Sequence, residues 1–204
     1  MRTIANVLCC SMLLVFMPAS VVLAQQELTP EEQAELQAEY MRMAQPGEAH
    51  ELIAQLEGEW EQEIRFWMSP GADPIVSTGS AQCEMILGGR FLSCEAEGGS
   101  GQNAMESLTI LGYDNRHKHY TLIGFDTWGT YYVTAAGDYD PDTKTIVLSG
   151  VDTDPVMGME QVYDMTLEFV DEDKYISAVI FKNPEMTGGA EEFKMVEVIN
   201  TRVK

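Results

Sequence analysis

The stretch CEMILGGRFLSC, residues 83–94, sets two thiols at equal distance from a Gly-Gly pair. Three chemistries use paired cysteines. A redox centre needs closer thiols and a thiolate at an exposed helix start. A metal centre needs further ligands nearby. A hairpin staple needs only that the thiols face each other. A two-residue turn at Gly88-Gly89 sets Leu87 opposite Arg90, Ile86 opposite Phe91 and Cys83 opposite Cys94. Glycine suits the positive φ angles of such a turn. Counted out from it, the cysteines form a hydrogen-bonded pair with Cα atoms about 5.5 Å apart, within disulfide reach. The spacing predicts a cross-strand disulfide on a buried face.

His117 and His119 alternate by two, so both project from one face of a strand, a spacing that can give two ligands to one metal ion. Lys118 between them and Asp114-Asn115-Arg116 before them read instead as a wet edge, an exposed strand next to a turn. His50 lies in a short helical stretch, with a structural hydrogen bond and acid–base work as its two roles. The acidic turns DPDT, DTDP and DED follow no twelve-residue calcium-loop order. Aspartate in such places bonds backbone groups two residues on. The run GGSGQN precedes a strand, whereas a phosphate cradle opens a helix. No serine sits in a nucleophile elbow. Glu61 and Glu63 fall on an outer face, where solvation explains them. No catalytic residue, metal ligand set or cofactor is assigned.

These side chains belong to a chain of 204 residues with 33 acidic and 12 basic side chains, a formal charge of −21. Such a chain repels phosphate backbones and anionic lipid surfaces, so nucleic acid is excluded as a partner. Its 45% hydrophobic content argues for a folded core. Arg2, the apolar run after it and VLA before Gln25 read as a signal peptide, residues 1–24, cleaved after Ala24. No later stretch spans a bilayer. The expected place is the periplasm or the cell exterior, with no membrane insertion after cleavage. There a pair of thiols oxidises.

A helical segment, residues 25–57, comes next. Thr29, Pro30 and Glu32 form a capping box that opens a helix over residues 30–43. Gln45-Pro46-Gly47 breaks it, and a second helix runs from Glu48 to Leu56. From Gly58 to the end, short alternating stretches recur between Gly, Asp, Asn and Pro clusters. About ten strands linked by short turns predict an all-β, antiparallel up-and-down β-barrel over residues 58–204, because closure removes exposed edges. Tyr163, Met165, Leu167 and Phe169 point inward. Trp60, Gln62, Ile64, Phe66 and Met68 share a side, opposite Glu61, Glu63, Arg65 and Trp67. The last strand, EEFKMVEVINTR, does not sort by alternation. Phe66, Tyr120, Phe125, Tyr163, Met165 and Phe169 are the cavity candidates, for a small hydrophobic or amphipathic ligand. The alternatives are an enzyme using His50 or His117/His119 in a polar cavity, and an interaction domain whose helical arm contacts a partner.

The stretches AQPGEAHELIAQLEGEWEQEIRFWMSPGADP, GGRFL, LTILGYDNRHKHYT, DTWGT and EEFKMVEVINTR resemble a bacterial family, domain of unknown function 1579, from about Met43 to Arg202. The resemblance implies a lipocalin-like, or calycin-type, barrel and carries no reaction. It also implies that Trp60 of Gly58-Glu59-Trp60 packs across one barrel end against Arg202, both as structural residues. Some relatives in the broader barrel class bind haem through a histidine near the C-terminal strands. All three histidines here precede residue 120, so no haem is expected.

Overall fold

The computed structural model describes residues 28–101, 104–156 and 158–204. The expected leader and its cleavage site lie outside the described residues. The chain divides after Gln37 into two compact units. In the first, residues 28–37 are described and hold the start of helix α1 (Pro30–Met43). Its capping box forms as expected: the Thr29 N–H donates to the Glu32 carboxylate at 2.7 Å, and the Glu32 N–H to Thr29 Oγ1 at 3.2 Å.

The second unit runs from Ala38 to Lys204. After the end of α1 it contains α2 (Glu48–Ala54), then β1 (Gly58–Phe66), β2 (Ile75–Ile86), β3 (Phe91–Gly98), β4 (Met105–Asp114) and β5 (His119–Asp126). β6 (Tyr132–Asp140), β7 (Thr145–Asp154), β8 (Met159–Asp171) and β9 (Lys174–Phe181) follow, then α3 (Pro184–Thr187) and β10 (Phe193–Arg202). Each strand pairs antiparallel with the next, and β1 pairs with β10 to close the barrel. The seam runs from Trp60↔Arg202 to Phe66↔Val196. β1 ends there, so Met68 lies beyond the strand and is exposed, not on the inward side that alternation predicts.

Residues directly opposite in an antiparallel pair share a face. The register therefore carries the inward set around the wall from Trp60 to Ala81, Ala96, Ser107 and Asp126. The register along β7–β10 turns Tyr163, Met165, Leu167 and Phe169 inward, as the alternation predicts. The core gathers Trp60, Leu92, Leu111, Leu122, Ile146 and Leu148, with Ile53 of α2 and Leu56 just beyond it. Large side chains lie over inward glycines: Ile64 over Gly79 and Gly98, and the Tyr163 ring over Gly150.

Two local features depart from the sequence reading. β10 has a register shift between Lys194 and Val196. Phe193 and Val196 therefore face the same side three residues apart, so simple alternation cannot sort this strand. The stretch before it, read as a plain turn, contains α3, with Pro184 in its first turn and Gly188 at φ 64° closing it.

The Cys83–Cys94 disulfide is present, at a position where the two strands pair. Its Cα atoms are 4.1 Å apart, not the expected 5.5 Å. The turn explains the difference. Ile86 and Phe91 are the last pair, and the four residues between them form the loop, with Leu87, Gly88 and Gly89 all at positive φ. The Arg90 N–H donates to Ile86 O. A loop of four shifts the ladder by one step, so the cysteines fall on the narrow, non-hydrogen-bonded type of pair.

Candidate functional site

The up-and-down course sends the short turns β2–β3, β4–β5, β6–β7 and β8–β9 to one end of the barrel, where α2 lies. Trp60 is 2% exposed there. Its indole N–H donates to Leu56 O at 2.9 Å, and its ring meets Tyr175 edge-on at 4.7 Å. The Arg202 guanidinium lies 4.2 Å from the Trp60 ring centroid. Its fork donates to Glu57 O at 2.6 Å, Gln55 O at 2.7 Å and Glu172 O at 3.0 Å. One side chain thus ties the end of α2, the start of β1 and the β8–β9 turn to the last strand. Gly58 stands beside it at φ 131°, where a Cβ would come within 2.5 Å of Arg202 Nη1.

Two more polar side chains hold the same end. Asn115 Nδ2 donates to Met43 O and Gln45 O. Arg90 Nη2 donates to Ala44 O. His50 is buried in α2. Its Nδ1 accepts the Gly47 N–H at 3.1 Å, and its ring meets Tyr113 edge-on. Burial, assisted by the charge of Arg90, pushes the imidazole below its usual pKa. His50 thus caps and plugs. His117 lies in the β4–β5 turn and His119 begins β5, with their rings stacked at 5.7 Å. The strand geometry expected of that pair is replaced by a turn, and Asp114 binds both Arg116 and His117. Among the described residues no group of three or more His, Cys, Asp or Glu side chains is placed to hold a metal ion. Asp140, Asp154 and Asp171 each accept a backbone N–H two residues on, which is turn chemistry.

The opposite end carries the longer connections. Phe66 faces inward there, and Trp128 of the β5–β6 loop meets it edge-on at 6.1 Å. Trp128 also donates its indole N–H to Ala104 O at 3.3 Å. Behind this mouth, Ile64, Phe66, Val196 and Val198 face inward on β1 and β10. They remain half-buried and do not join the buried cluster. Deeper in, the Gln62 amide donates to Asn200 Oδ1 at 2.9 Å, and Asn200 is fully buried.

Five of the six cavity candidates face this interior. Tyr120 lies deep, edge-on to Tyr113 at 4.9 Å, its hydroxyl pushed up to about 12 by burial. Tyr163 donates to Thr134 O at 3.1 Å. Met165 lines the wall beside it, and Phe169 meets Tyr139 edge-on. Phe66 stands at the mouth. Phe125 does not belong with them. It is 42% exposed and lies on the outer wall, opposite Leu108 and Tyr132. β5 is apolar on both faces, so hydrophobicity alone gives no phase. The sequence reading missed Val196 and Val198, hidden by the bulge in β10, and the bridging role of Trp128.

A family model described as protein of unknown function (DUF1579) matches residues 45–202. The chain belongs to this family. No curated protein matches it. In this DUF1579 protein the stretches that carry the resemblance meet at the plugged end: Pro46-Gly47 with His50, Gly58 with Trp60, Arg90, Asn115 and Arg202. They build the plug, and two further parts of the same stretches, Phe66 and Trp128 of DTWGT, stand at the mouth. No described helix is long and apolar enough to cross a membrane.

Proposed function

We propose that this protein is exported and holds a small apolar or amphipathic molecule inside its barrel, entering between β1, β10 and the Trp128 loop. One observation carries the reading. The inward aliphatic side chains near the mouth keep accessible surface, whereas those at the plugged end are sealed. An apolar wall with a few polar groups is the usual make-up of a ligand site. Gln62 and Asn200 supply a polar patch at its inner limit. The Cys83–Cys94 disulfide supports an oxidising compartment.

Native mass spectrometry of protein taken from its own compartment tests this, with a solvatochromic dye as a second probe. A bound apolar mass and dye binding that Val198→Trp abolishes are expected. A clean apo mass together with no dye response sinks the reading.

A further inference from the structure

The outer wall across β1–β5 carries a concavity of about 830 Å³. Two rows of outward side chains cross it. The register links Glu59, Gln82, Glu95, Leu108 and Phe125 in one row, and Glu61, Ser80, Glu97 and Glu106 in the next. Beyond Glu106 of β4, this surface is apolar on β4–β6. Phe125 pairs with Tyr132 and Ile123 with Ile110, and Phe125, Ile123 and Tyr132 are exposed. On β1–β3 and at Glu106 of β4 it is anionic. Glu97 and Glu106 stand directly opposite each other, a like-charge pair that destabilises a sheet. Among the described residues, no basic side chain pairs with Glu59, Glu61, Glu95, Glu97 or Glu106. No Lys or Arg occurs between Arg65 and Arg90, nor between Arg90 and Arg116.

Exposed apolar clusters rimmed by charge mark interaction sites. The charge decides the occupant. A second copy of this chain, nucleic acid and anionic lipid share its sign and are repelled. A lone metal ion finds no group of three ligands among the described residues. Five strands span about 19 Å, the reach of about six extended residues. We propose that this outer wall docks a basic, amphipathic peptide segment of a partner protein, its cations on Glu95, Glu97 and Glu106 and its apolar side chains on Phe125 and Ile123. This site is separate from the barrel interior.

The test is fluorescence anisotropy with a labelled decapeptide alternating Lys and Leu, at two salt concentrations, on the full chain. Decalysine serves as the charge-only probe. Saturable binding of the alternating peptide, much tighter than decalysine, is expected. The triple variant Glu95→Gln/Glu97→Gln/Glu106→Gln should lose about tenfold in affinity and flatten the salt dependence. Phe125→Ser should weaken binding while leaving the salt dependence intact. Glu160→Gln/Glu168→Gln/Glu191→Gln removes the same charge elsewhere and should bind like the parent. Equal binding of both peptides, or equal loss in both triple variants, means that net charge alone attracts the probe and overturns the proposal. All the substituted positions are exposed; circular dichroism verifies each fold.

Discussion

Gly58 and Arg202 are one device, and each constrains the other. The guanidinium occupies the space where any side chain at position 58 would begin. Gly58→Ala adds a positive-φ penalty and displaces the fork, so a loss of about 1–3 kcal/mol in a urea titration is expected. Arg202→Lys keeps the charge but cannot span three carbonyls. It should cost about 2 kcal/mol and alter the emission of buried Trp60. His50 gives a pH signature. Its folded pKa lies below the ordinary value near 6.5, so the unfolded chain binds the proton first. Stability is full above about pH 6.5 and falls as the pH drops from there toward the folded pKa. His50→Asn keeps an acceptor for Gly47, and its stability should stay flat over that window. The Trp60–Arg202 contact was legible through the Gly-x-Trp resemblance. The outward turn of Phe125 was not, because both faces of β5 are apolar.

The β2–β3 hairpin shows how far a local rule reaches. Equal spacing about Gly-Gly was enough to pair Cys83 with Cys94, since any symmetric loop keeps that register. It was not enough to tell a two-residue from a four-residue loop, and that choice sets which rung the cysteines occupy. Intact mass without reductant should be 2 Da below the dithiol form, the mass of two hydrogens. Cys83→Ala/Cys94→Ala should lose about 3 kcal/mol, the closure entropy of a loop this short. Helix α1 was legible to the residue because Thr29, Pro30 and Glu32 act within one turn. β10 was not, because a bulge is a response to packing against β9 and leaves no local mark.

The molecule as a whole carries a charge of −21 and a sequence pI near 4.2. A compact body holds those carboxylates closer together than the unfolded chain does, and self-repulsion weakens it. Raising sodium chloride from about 0.01 to 0.15 M shortens the screening length from about 30 to 8 Å. The thermal midpoint should rise by a few degrees, about 2–4 °C for each kcal/mol relieved. No change on added salt means that the charges are already paired. Closure of the barrel could be read from strand count alone, since edges left open on ten strands are a hazard. The accessible surface inside depends on which side chains overlie which glycines, and no spacing rule states that.

The seam between β1 and β10 also sets an order in time. All other strand pairs join neighbours in the chain and form across short loops. The seam joins the extremes: Gln55 and Arg202 meet across 147 residues. Contacts of such separation form late, because loop closure must be met before they bring any gain. Until the final strand arrives, β1 and β9 present unpaired edges to any neighbouring chain. A chain released without its last strand is therefore an aggregation hazard, and one strand delivered last converts it into a body with no edge at all.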